Sequence, residues 1–228
     1  MNASTQVNLL RKLVLSVALI GLALPALILA QGITFEPVTA ATLPWDAVPS
    51  PDGNTLYFTA IADDGCPAIF RAAADGSDFT RLAACNPFVM PLGIAVSLDG
   101  QTLYVADSFA AGAAGDAIFA VSTNTPYTVS VVAGTEGTAP QGVEIGLRYG
   151  VETLFYTGID VHDGHPAVYA LPTGGGAAEV LAKGAPMVAP SGVAVSSEGT
   201  VFVLDRLASG NGIRSEERRV GKECRSRW

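Results

Sequence analysis

Four near-copies of one hairpin and the lack of any helical period between them predict an all-β fold, a partial β-propeller of four-stranded blades. The copies open with Pro44-Trp-Asp-Ala-Val, Pro91-Leu-Gly-Ile-Ala-Val, Pro140-Gln-Gly-Val-Glu-Ile and Pro190-Ser-Gly-Val-Ala-Val, at spacings of 47, 49 and 50 residues. A β-sandwich, the alternative all-β architecture, does not repeat one hairpin in register. About three and a half blades are visible.

Each opening strand (A) leads through a polar turn into an aromatic strand (B). The turns are Asp52-Gly53, Asp99-Gly100, Tyr149-Gly150 and Glu198-Gly199, where glycine accepts the positive φ of a tight hairpin. The B strands follow at Leu56-Tyr-Phe, Leu103-Tyr-Val, Leu154-Phe-Tyr and Val201-Phe-Val. Third strands (C) are expected at Ile69-Phe70, Ile118-Phe119 and Val168-Tyr169, and fourth strands (D) at Arg81-Leu82-Ala83, Val129 to Ala133 and Glu179 to Ala182. Gly174-Gly-Gly176 falls at a C to D turn, so it is not a phosphate cradle. Nothing in the chain makes a nucleophilic triad or a nucleotide fingerprint.

Both ends differ from this pattern. Residues 1–30 have the parts of an export signal: Arg11 and Lys12, an uncharged apolar run from Leu13 to Ala30, and a small residue before Gln31. That run is at the lower limit of a bilayer span, so an uncleaved anchor is the alternative, and Pro25 favours cleavage. Residues 214–228 carry six of the thirteen basic residues and no apolar periodicity that would pack them on a sheet. They resemble the in-frame translation of a short-read sequencing adapter and are excluded from the fold. The propeller domain is therefore residues 31–213, a reading frame cut near Ile213.

Residues 31–213 hold five Lys or Arg against eighteen Asp or Glu, a net charge of −13. Such a surface repels phosphate backbones, which excludes nucleic acid as a partner. The expected location is extracytoplasmic, secreted or periplasmic, with no membrane contact beyond the export segment. In that oxidising compartment Cys66 and Cys85 read as a disulfide, closing a loop whose constraint contributes about 3 kcal/mol.

Gly93 to Asp107, Gly-Ile-Ala-Val-Ser-Leu-Asp-Gly-Gln-Thr-Leu-Tyr-Val-Ala-Asp, resembles the core motif of NHL-repeat propellers and of gluconolactonase-like hydrolases, both six-bladed with a TolB-like architecture. The resemblance implies a complete ring of six blades. In the hydrolases an Asn after the motif's Pro holds a catalytic calcium; here Trp45, Leu92, Gln141 and Ser191 stand at those places. An Asp ending strand B is a further ligand of that family, and Asp107, Asp160 and Asp205 are its candidates. In NHL-type repeats the same Asp is structural.

The D to A and B to C connections share one rim, and the A to B hairpins share the other. On the first rim Trp45, Asp107, Gln141, Asp160, His162, His165 and Asp205 are the candidate ligand-binding residues. Glu144 joins them because it replaces Ala47, Ala95 and Ala194 in strand A, near the axis. Glu144, Asp160, His162 and His165 are also the candidate metal ligands, for calcium or another divalent cation, although the Asp-Gly of that loop reads equally as a surface turn.

The reading that follows is a non-enzymatic binding propeller of NHL type, its partner a small molecule, a glycan or a protein. The alternative is a calcium-dependent, gluconolactonase-like hydrolase. The repeat register also places residues 32–36 as the outer strand of the closing blade, a clasp that removes free sheet edges.

Overall fold

The structure, a computed structural model, describes residues 41–208 and the backbone of the strand at Arg214–Arg219. Its sheets follow chain order. Blade 1 is β1 (Ala41–Pro49), β2 (Thr55–Ala62), β3 (Pro67–Ala73) and β4 (Thr80–Ala84). Blade 2 is β5 (Pro91–Val96), β6 (Thr102–Asp107), β7 (Ala117–Ser122) and β8 (Val129–Val131). Blade 3 is β9 (Val143–Arg148), β10 (Val151–Ile159), β11 (Pro166–Pro172) and β12 (Glu179–Lys183). The fourth sheet is β13 (Pro190–Val195), β14 (Thr200–Asp205) and β15 (Arg214–Arg219). The export segment and residues 32–36 lie outside the described residues.

Two kinds of turn close the A to B hairpins. In blades 1, 2 and 4 the glycines Gly53, Gly100 and Gly199 sit at φ of 73°, 72° and 82°. Each donates its N–H to the carbonyl of a serine three residues earlier, Ser50, Ser97 or Ser196. Blade 3 is tighter: Arg148 pairs with Val151, which leaves only Tyr149 (φ 53°) and Gly150 (φ 79°) between the strands. Two successive positive φ values are the type I′ hairpin, whose twist matches that of the strands it joins.

Alternation along the strands buries both faces of the middle blades. Tyr57 of blade 1 packs with Ile94, Leu103, Val105 and Phe119 of blade 2. On the opposite face of blade 2, Ala95, Tyr104 and Ile118 pack with Leu154, Tyr156 and Tyr169 of blade 3. Phe155 and Val168 of blade 3 then pack with Val201 and Val203 of the fourth sheet. The outward face of that sheet leaves Phe202 and Leu204 exposed, because no further blade covers them among the described residues.

The blades converge on their first strands, with β1 against β5, β5 against β9 and β9 against β13. Glycine at the third place of the repeat makes this approach possible. A Cβ on Gly93 would overlap the Gln141 carbonyl oxygen, and one on Gly142 would meet the Ser191 carbonyl oxygen and the Gly192 Cα at 2.8 Å.

One expectation is corrected by the structure. Cross-strand pairing matches Val48 with Tyr57, as Ala95 with Tyr104 and Glu144 with Phe155. Val48, not Ala47, is therefore the counterpart of Glu144, and Asp46 occupies the glycine place in blade 1. The backbone of Arg214–Arg219 pairs with β14 from Asp205↔Arg214 to Thr200↔Arg219. Backbone donors and acceptors along an open edge need no apolar side chains to recruit a strand.

Gly142→Ala is expected to lower the unfolding free energy by about 2 kcal/mol, the scale of overpacking a tight contact, in urea denaturation. Gly174→Ala, with nothing within 4 Å and no positive φ, is expected to be close to neutral.

Candidate ligand-binding rim

The rim formed by the D to A and B to C connections is held by two buried carboxylates. Asp107, at the end of β6, is fully buried. It accepts the backbone N–H of Val89 at 2.8 Å, Met90 at 3.0 Å and Phe109 at 2.9 Å. Asp205, at the end of β14, repeats the arrangement with Val188 at 2.8 Å, Ala189 at 3.1 Å and Leu207 at 2.8 Å. Burial pushes the Asp107 carboxyl up, against the pull of its backbone partners. At Asp205 burial acts in the same direction, but the amides together outweigh it and the group is lowered.

Blade 3 departs from this pattern. Its register sets Gly158, not Asp160, opposite the place of Asp107 and Asp205. No side chain fits at Gly158, since a Cβ there would overlap the Thr138 carbonyl oxygen. Asp160 lies two residues further on and does different work. Its carboxylate accepts the His162 N–H at 2.8 Å and pairs with Lys183 at 3.1 Å, which together lower it. Lys183 also bonds Asp163 at 2.9 Å, and His165 Nδ1 lies 3.0 Å from Asp163. Lys183 and the His165 contacts hold Asp163 well below the usual carboxylate range.

These contacts decide the fate of the proposed metal ligands. Among the described residues no three His, Cys, Asp or Glu side chains converge to hold a metal ion. Glu144, Asp160, His162 and His165 do not form one ligand set, because Asp160 is taken up by Lys183 and the loop backbone, and both histidines are exposed in that loop.

Near the axis two first strands carry half-buried carboxylates, Asp46 in β1 and Glu144 in β9. The Asp46 carboxylate accepts the Ile94 N–H of the next blade at 3.0 Å. The Glu144 carboxylate accepts the Ile145 N–H at 2.9 Å. Burial raises both carboxyls, and the charge of Asp46 raises Glu144 further. The signal was available, since Asp46 is the only non-glycine at the third place of the repeat. At the mouth of the channel Gln141 accepts a bond from Arg206 at 3.2 Å, which links blade 3 to the fourth sheet. Trp45 is half-buried at the equivalent corner of β1.

The Cys66–Cys85 disulfide forms, with Cα atoms 4.9 Å apart. It joins the B to C loop of blade 1 to the connection that delivers Val89 and Met90 to Asp107.

Solved structures share this architecture, and three of them illustrate it. A putative TolB from Agrobacterium tumefaciens matches with a TM-score of 0.63 and 13% identity, covering 79% of this chain and 63% of that one. A chain of a nidogen–laminin complex matches at 0.62 and 20% identity, covering 78% and 61%. A gluconolactonase from Xanthomonas campestris matches at 0.57 and 17% identity, covering 76% and 58%. The chain thus has the β-propeller fold of TolB and gluconolactonase, and it spans less than two thirds of each of these chains. No family model matches it, and no curated protein sequence is significantly similar.

Asp107→Ala is expected to cost about 2 kcal/mol in urea denaturation, because it leaves part-buried amides and a buried site without their acceptor. Asp160→Ala is expected to cost much less, since Lys183 keeps Asp163 as a partner.

Proposed function

We propose that this protein is an exported, non-enzymatic binding propeller that presents its partner-binding surface on the rim capped by Asp107 and Asp205. In this reading residues 1–30 direct export, residues 31–213 form the propeller domain, and residues 214–228 are foreign to it. The disulfide supports an extracytoplasmic location, because such bonds persist in oxidising compartments. Two of the similar structures come from a nidogen–laminin complex and from a gluconolactonase, so the fold serves assembly as well as hydrolysis.

One observation carries the choice. Asp107 and Asp205, which the hydrolase resemblance offers as metal ligands, use their oxygens on backbone amides, and the third such place is Gly158. The places of the catalytic asparagines hold Trp45, Leu92, Gln141 and Ser191. A rim built this way is a rigid frame for loops rather than a cation cradle.

The hydrolase reading keeps one observation in its favour, the Asp46–Glu144 pair at the axis. A cation there would offset the cost of burying their charge, which raises both groups. The two readings separate in one experiment on the purified protein. The binding reading expects no calcium-dependent hydrolysis of sugar lactones and no rise in melting midpoint with millimolar calcium. It expects Glu144→Gln to raise the midpoint at neutral pH, since a carboxyl held above its ordinary value is one whose ionised form the fold disfavours. That advantage should shrink as pH falls and vanish below the ordinary value of 4.5. Lactone turnover, or a calcium-induced rise that Glu144→Gln abolishes, would establish the hydrolase instead.

A further inference from the structure

Eight of the fifteen large apolar residues exposed among the described residues lie on the Asp-capped rim: Leu43, Val89, Met90, Phe109, Ile159, Val161, Val188 and Leu207. Only Leu98, Leu147, Tyr149 and Val151 lie on the opposite one. A concentration of this kind on one face of an otherwise strongly acidic domain marks a contact surface.

The residues are grouped by the same bonds that build the rim. Asp107 holds the amides of Val89, Met90 and Phe109 within about 3 Å of one carboxylate, and those three side chains are 43%, 36% and 62% exposed. Asp205 does the same for Val188 and Leu207, which are 55% and 58% exposed. Ile159 and Val161 of blade 3 lie between them in blade order. The apolar positions thus form an arc of three clusters on backbone that the caps hold still.

Charge names the occupant. The connections of this rim carry Asp63, Asp116 and Glu136 without a basic partner among the described residues, and Asp64, Asp160 and Asp163 paired with Arg81 and Lys183, against Arg206. An anionic bilayer is repelled by such a face. Sugar rings pack on flat aromatic surfaces, and Phe109 is the one aromatic among the eight. Aliphatic clusters separated by carboxylates fit side chains that alternate in the same way.

Resting on the reading of this rim as the binding surface, we propose that the arc docks an extended segment of another protein in which apolar and basic side chains alternate. The apolar side chains seat on the clusters around Asp107, in blade 3 and around Asp205, and the basic ones meet Asp116 and Glu136 between the first two.

The test measures binding to the full chain, at physiological ionic strength, of synthetic peptides of about ten residues that alternate Lys with Leu, Lys with Ser or Glu with Leu. The Lys/Leu peptide is expected to bind at least about tenfold more tightly than the other two, a difference of about 1.4 kcal/mol. The double variant Val89→Ser with Phe109→Ser is expected to lose about tenfold, whereas Leu98→Ser with Tyr149→Ser on the other rim changes little. Leu207→Ser, in a separate cluster, is read in parallel should the double variant fail to fold. Equal binding of the Lys/Ser peptide, or indifference to the rim variants, overturns the proposal. A mixture of cello-oligosaccharides and anionic phosphatidylserine vesicles are tested alongside. If rim variants lose binding to either of these while no peptide binds, the rim remains the binding surface and the peptide inference falls. If nothing that binds depends on the rim, both fall.

Discussion

The inner strands approach one another so closely around the axis that the repeat has room for glycine where Gly93 and Gly142 stand. This spacing governs the rest of the molecule. It brings the large side chains of neighbouring blades into contact, so that Tyr104 meets Leu154 and Phe155 meets Val203. It also brings the starts of the A strands together, which gathers the connecting loops onto a common rim. Where the first repeat carries Asp46 in place of glycine, the added carboxylate reaches the Ile94 amide of the next blade. A backbone-to-backbone approach becomes a bridge made by a side chain.

The rim inherits its order from buried electrostatics. A carboxylate at the end of strand B gathers amides from its own loop and from the preceding D to A connection, 16 to 18 residues away in the chain. Each such bond gives a part-buried loop donor a fixed acceptor inside the fold. The disulfide tethers the loop of blade 1 to the same region. Loops fixed in this way can expose Phe109 or Leu207 without collapsing over them. Blade 3 has no such cap, and its loop is instead ordered at the surface by Asp160, Asp163 and Lys183.

Much of the fold was legible because its determinants are local. A glycine after Asp52, Asp99 or Glu198 meets the positive φ of its turn whatever surrounds it, and apolar alternation along Leu103-Tyr-Val shows on its own which strand has two buried faces. The site was less legible because its determinants are relations between segments. Ala47 resembles Ala95 in kind, but the pairing of Val48 with Tyr57 sets the equivalence. Asp160 resembles Asp107 in kind, yet β10 runs past the cap position before reaching it. Which amides a carboxylate accepts depends on where a distant loop returns. Exposed Val89 and Leu207 also read like any core residue until the fold shows them in loops.

Asp107 and Asp205 act as backbone caps that stiffen the rim, their oxygens taken up by loop amides. Hydrogen exchange resolved to single amides, on the purified protein without added cation, tests this most directly. The amides of Val89, Met90 and Phe109, and those of Val188 and Leu207, are predicted to exchange slowly although they lie in loops. Exchange of these amides at the rate of an unprotected loop, with protection appearing only when calcium is added, would contradict it.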